Sequence, residues 1–284
     1  TKAVTPSFAR PIIIENDVYR STNSDLSEII QGFQKGWTPK GDVSFTPNEI
    51  PLRNIKIDTE LYPDELKASW LGFLTSLTDD ERKNWPLVRY LAEEHIATRI
   101  PHDLETKAYF KGAYVAATPG TATAASEVMD GIKTSITAGL SANMNTVTLT
   151  DAITQANAFE RVEEFVDGLA ELTDKGVSVV VKMDLKILKW YLRDKRNTHG
   201  QDVNYNAASV VVDFTNVQLV GLPSMAGEKM LWATTPANFV YIRKVNGMKA
   251  PKVEESKRQV FLMLDWWEAI GFNHDELVYA ATWI

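Results

Sequence analysis

The hydrophobic pattern is densest between Phe159 and Val245, where its period changes several times over a short length. In FERVEEFVDGLAEL, Phe159, Val162, Phe165, Val166 and Leu169 recur at spacings of three and four, which predicts an amphipathic helix. Gly176 ends that pattern. Residues 177–183 (VSVVVKM) form a short apolar, β-branched run, as a strand covered on both faces requires. Asp184 is placed to cap the next helix, DLKILKWYLRDKR, which buries Leu185, Leu188 and Leu192 and ends in basic residues. A polar loop, NTHGQDVNYN, leads to two further strand candidates, SVVVDFTNVQLVGLP and KMLWATTPANFVYIRKV.

Outside this block the pattern is looser. Pro6, Pro11, Pro39, Pro47 and Pro51 punctuate the first sixty residues. Residues 24–33 (SDLSEIIQGF) put Leu26, Ile29, Ile30 and Phe33 on one face and predict a short helix; the rest reads as extended. Ile12, Ile13, Ile14, Tyr19, Trp37, Phe45, Ile55 and Ile57 make this segment too apolar for a solvated tail. It needs a surface to lie on, either its own domain or a neighbouring subunit. PDELKASWLGFLTSL predicts a helix from Pro63 with Leu66, Trp70, Phe73, Leu74 and Leu77 inward, and LVRYLAEEHIATRI another after Pro86. Pro101 is expected to interrupt or kink that second helix before HDLETKAYFKG continues it. Residues 112–150 read as loop, with GIKTSITAGL open between strand and short helix. RQVFLMLDWWEAIGF and DELVYAATWI predict two terminal strands, in the first of which Trp266 and Trp267 point to opposite faces.

The order of elements from FVDGL through MDLKILKWYLRDKR, the loop with Tyr205, VDFTNVQLVGLPSM and MLWATTPANFVYI resembles the axial domain of HK97-type major capsid proteins of tailed phages. The Gly221–Pro223 turn and the Thr-Pro-x-Asn-Phe of 235–239 are its most telling local pieces, and the order of elements tells more than either. It implies an α+β, HK97-like capsid fold: an extended N-terminal arm (1–36), a β-hairpin E-loop (37–61), a peripheral domain with a long spine helix (62–128 and 246–275) and an axial α/β domain (129–245 and 276–284). The chain would cross back between domains near 245–253. The resemblance also implies inter-subunit contacts. The candidates are Ile12, Ile13, Ile14, Tyr19, Trp37, Phe45, Ile55, Ile57, Trp266 and Trp267, with Tyr205 in a loop that would meet its copies around the symmetry axes.

Composition narrows the alternatives. With no cysteine, disulfides, thiolate catalysis and thiolate metal sites are excluded. No apolar run is long enough for a membrane helix. A net charge of −7 argues against a dedicated nucleic-acid binder. Phosphate-loop, dinucleotide, nucleophile-elbow and zinc-protease motifs are all missing. His95 and His102 lie seven apart on a helix, a spacing open to a metal pair. Pro101 disturbs the register and no third ligand is evident, so surface histidines are the expected reading. His274-Asp275-Glu276 reads as a turn between the terminal strands, and Glu163, Glu164 and Asp167 as a solvated helix face.

The expectation is a structural shell protein, not an enzyme, with no cofactor or metal. The resemblance implies pentamers and hexamers that close into an icosahedral head around double-stranded DNA, held by enclosure. It implies portal, scaffold and protease as assembly partners, assembly in the host cytoplasm, and a place in the virion. The chain begins at Thr1 without Met, which suits removal of an N-terminal segment by a prohead protease. Deleting residues 1–19 is expected to leave a folded monomer that forms no shells. Two alternatives stand: an encapsulin-type nanocompartment shell, and a soluble α/β enzyme with Asp/His chemistry.

Overall fold

Two β-sheets that share a hydrophobic core, a long helix and a hairpin with an exposed tip organise the chain. The computed structural model describes residues 3–21, 24–26, 28–41, 43–45, 47–78, 86–199, 210–247, 252–256 and 259–283. The arm carries β1 (Arg10–Ile14) and β2 (Val18–Arg20). The hairpin follows: β3 (Ser24–Leu26) pairs antiparallel with β4 (Val43–Phe45), and β5 (Glu49–Pro51) returns to β2. The hairpin therefore opens before Trp37, and the helix expected over 24–33 is not formed. Ile29, Ile30 and Phe33 are 54%, 81% and 96% exposed, so the apolar face meant to hold that helix has nothing to pack on. A helix this short is marginal without such packing.

The strand β6 (Arg53–Leu61) leads into α1 (Pro63–Thr75), which starts on a proline with Asp64 and Glu65 in its first turn. Its apolar face is less covered than its spacing suggests: Trp70, Phe73 and Leu74 are half-buried, and Phe73 meets Tyr90 at 4.8 Å. The spine helix α2 spans residues 87–108. It does not stop at Pro101, which lies inside the α-helical stretch Ala97–Asp103. Wide π-helical turns at Leu91–Ile96 and Leu104–Ala108 flank that stretch. GIKTSITAGL resolves as a helix, α3 (Ile132–Leu140), followed by the two-residue strand β7 (Asn145–Thr146).

Next come α4 (Ala158–Asp167), α5 (Ala170–Thr173), β8 (Val180–Asp184) and α6 (Leu185–His199). The strand begins three residues later than expected: the turn at 174–176 ends on Gly176, at φ +72°, and residues 177–179 lead from it into the ladder. Asp184 caps α6 as expected, its Oδ1 accepting from Lys186 N at 3.0 Å. The remaining strands are β9 (Val210–Val211), β10 (Gln218–Leu222), β11 (Met230–Thr234), β12 (Phe239–Lys244), β13 (Lys252–Ser256), β14 (Gln259–Phe272) and β15 (Tyr279–Thr282).

A six-stranded sheet has the order β7-β15-β11-β8-β10-β9. On one face Val179, Val181 and Met183 join Phe159, Phe165 and Tyr191 of α4 and α6; on the other, Val180, Val220 and Trp232 join the main core. Burial on both faces is what the β-branched run predicted. The second sheet is built on β14, which pairs antiparallel with β6, β12 and β13, while β1 adds parallel to β12. Trp232, Phe239 and Phe272 join the two sheets, with ring centroids 5.2–5.8 Å apart.

The chain changes sheet at 235–238, between β11 and β12, one strand before the crossing expected near 245–253. Asn238, which is buried, ties this crossing to the later one at 273–278. Its Nδ2 donates to Thr234 Oγ1 and to the His274 carbonyl, both at 2.8 Å, and its Oδ1 accepts from His274 N at 2.7 Å. The Thr-Pro-x-Asn-Phe pattern is thus a buckle between two sheets.

Candidate inter-subunit surface

The arm lies mainly on its own subunit. Ile12, Ile14 and Tyr19 are half-buried against Ile50, Leu52, Val240, Ile242 and Ala269, while Ile13 points away and is 69% exposed. Val245 N donates to Ile14 O at 2.7 Å, so Ile14, and by alternation Ile12, turn their peptide groups toward β12. Pro11 and Ile13 then face the free edge of the sheet. Proline is tolerated at that edge, and its missing N–H blunts pairing with another strand.

The start of the arm is clamped. Thr5 is fully buried; the N–H groups of Val4 and Thr5 donate to Glu105 Oε2, both at 2.9 Å, and Thr5 Oγ1 donates to Oε1 at 2.6 Å. The Ser224 hydroxyl lies 2.7 Å from Thr5 Oγ1. One carboxylate on the spine helix thus joins the arm to the turn after β10. No sequence pattern marks Glu105, because its partners are about a hundred and more residues away. The same contacts revise the expectation for deleting residues 1–19: that deletion removes a core residue and a paired strand, so a fully folded monomer is not the expected product.

The other candidates divide into two groups. Ile55 and Trp266 are core residues, 5% and 7% exposed, and Ile57 packs beside them. Trp267 is half-buried on the opposite face, with Lys244 Nζ 4.7 Å from its ring centre. Both indoles of the pair are therefore held by their own chain. Trp37, by contrast, is 94% exposed on the hairpin tip, together with Ile30 and Phe33. The Phe45 backbone belongs to β4. Tyr205 and the axial loop around it lie outside the described residues. His95 and His102 are exposed on α2, and His274 precedes a short turn at Asp275–Leu277 between the terminal strands. Among the described residues no group of three or more His, Asp or Glu side chains is placed to hold a metal ion.

Beneath the spine helix lies a cavity of about 1000 Å³. Ile55, Ile57, Ile96, Ile100 and Trp266 line it, and the loop at 117–125 closes its side. In a separate, smaller pocket, Tyr241 OH donates to Glu268 Oε2 at 2.6 Å and Arg243 Nε donates to Tyr241 OH at 2.8 Å. Burial pushes the Glu268 carboxyl above its usual range, opposed by the Tyr241 hydrogen bond. This group braces β12 against β14.

No protein-family model matches the sequence, and no curated protein does. Solved structures match over nearly the whole chain. One is the procapsid of satellite phage P4 with its size-determination protein Sid, at a TM-score of 0.63 and 11% identity over 97% of this chain and 85% of that one. The fold is that of the HK97-like phage capsid proteins. The capsid of an empty GTA particle matches at a TM-score of 0.60 and 10% identity over 100% of this chain and 90% of that one. The SrpI encapsulin complex from Synechococcus elongatus PCC 7942 matches at 0.53 and 10% identity, over 96% and 84%.

Proposed function

We propose that the chain is the major capsid protein of a tailed phage or prophage. Its copies form pentamers and hexamers that close into an icosahedral head around double-stranded DNA. The observation that carries this reading is the pairing of a capsid fold that spans nearly the whole chain with an apolar hairpin tip that its own subunit leaves uncovered. Ile30, Phe33 and Trp37 are each more than 80% exposed. Apolar groups presented this way mark an interaction site. Many modest contacts summed around a closed shell give stability that no single pair supplies. The protein acts by assembly and not by catalysis; DNA is retained by enclosure, in keeping with the net charge of −7. The segment with β1, the hairpin from β2 to β5, the sheet built on β14 with α2, and the six-stranded sheet with α4 and α6 serve as arm, E-loop, peripheral and axial parts. Portal, scaffold and protease act during assembly in the host cytoplasm, and the product is the virion.

An encapsulin-type shell is the second reading, favoured by the SrpI match. Electron microscopy of the expressed protein separates the two. Heads that package double-stranded DNA support the phage reading; small shells closed around protein cargo support the nanocompartment.

A further inference from the structure

On the outer side of the six-stranded sheet, α4 and α6 lie next to each other. Phe159 stacks on Tyr191 at 5.5 Å, and Phe159 N donates to the buried Asp194 at 2.9 Å. Their solvent faces carry opposite charge. Along α6, Lys189, Arg193 and Arg196 are exposed at spacings of four and three, one stripe of a helix. Along α4, Glu160 and Asp167 are exposed two turns apart, with Glu164 between them. The two stripes do not neutralise each other within the molecule. Among the described residues, Glu160 and Glu164 pair with Arg161. No carboxylate among them pairs with Lys189, Arg193 or Arg196.

We propose that these stripes are one interface seen from its two sides: the basic face of α6 in one copy docks on the acidic face of α4 in the next copy around a ring. Two different patches on one subunit make a heterologous contact, the kind that closes rings of five or six. The occupant is a second copy of this chain, selected by charge complementarity, and the contact sets orientation and encounter rate more than raw affinity. Being exposed, it weakens with salt. This rests on the shell reading above and adds which surfaces meet within a capsomer.

The test uses full-length protein and two charge reversals. One variant combines Lys189→Glu with Arg193→Glu; the other combines Glu160→Lys with Asp167→Lys. Both sets are exposed, so each variant is expected to keep the wild-type melting curve. Alone, each meets like charge on like charge, and ring formation moves to at least about tenfold higher protein concentration in low salt. Mixed, the two alternate around a ring, so six-membered rings form and five-membered rings, which force one like-charge contact, do not. The protein carrying all four substitutions assembles like the wild type. Wild-type shells together with wild-type-like assembly of either single-stripe variant overturn this inference alone, as does a four-fold variant that folds but stays monomeric. A wild type that forms neither rings nor shells overturns the shell reading with it.

Discussion

Lys182 projects from β8 into the core between the sheets, with its ammonium 4.3 Å from the centre of the Trp232 ring and 4.9 Å from that of Phe239. The side chain is 1% exposed, and burial pushes its pKa down to about 7. In the unfolded chain an ordinary lysine titrates near ~10.4. Between these values the unfolded state binds the extra proton, so this group makes stability rise with pH from about 7 to ~10.4 and leaves it flat below 7. Lys182→Met is expected to stabilise the protein by a few kcal/mol at pH 7, an order-of-magnitude figure, and to flatten that slope. Urea melts at pH 7 and pH 9.5 check it; an unchanged slope contradicts the assignment. Asn238 and Gly221 act in the opposite sense. Removing Asn238's amide strands buried partners at both sheet crossings, so Asn238→Ala should cost roughly 2–4 kcal/mol in chemical unfolding. A Cβ at Gly221 would lie 2.7 Å from Leu185 Cδ2 and 3.1 Å from Leu185 Cα. Gly221→Ala should therefore lose about 1–3 kcal/mol in the same assay. The sequence marked both motifs, but not the reasons: a helix start against β10, and a buckle whose partners lie some 36 residues on.

At the scale of elements, periodicity was informative wherever packing supplies the stability. The helix α4 and the long strand β14 follow their apolar spacing, because each buries that face in a core; α6 forms where expected but buries Ile187 and Tyr191, while Leu188 and Leu192 are half-buried and Leu185, expected inside, is exposed. The spacing misled at 24–33, where the same pattern faces solvent and the chain stays extended. At Pro101 the helix continues into the following segment as expected, through flanking π-helical turns that have no local signature. The hairpin tip is the sharpest element-scale test. Replacing residues 28–41 with a short Gly-Asn turn removes exposed apolar surface and no core. The expected product is a monomer that melts as the wild type does but forms no shells, read by circular dichroism and sedimentation. A variant that still assembles would show that the tip does not carry the contact. The Thr5 clamp is tested separately. Glu105→Gln keeps the shape but weakens three hydrogen bonds, and should cost roughly 1–3 kcal/mol and speed proteolysis within the arm.

For the molecule as a whole, the order of elements was legible because each carries its own local pattern. The partition into sheets was not, since it depends on two crossings separated by a long stretch of chain. Of the candidate contact residues, Ile55 and Trp266 lie in the core, whereas Ile13 and Trp37 stand clear of it; hydrophobicity alone does not separate an interface from an interior. The arm occupies a middle position, stapled to its own subunit by Thr5 and β1 while presenting Ile13 outward. The central claim concerns association, so the deciding measurement is electron microscopy of the purified full chain with its sedimentation profile, alone and with co-expressed scaffold. Closed icosahedral shells are expected, or pentamer and hexamer rings that become shells with scaffold. A uniform monomer or dimer under both conditions would contradict that claim.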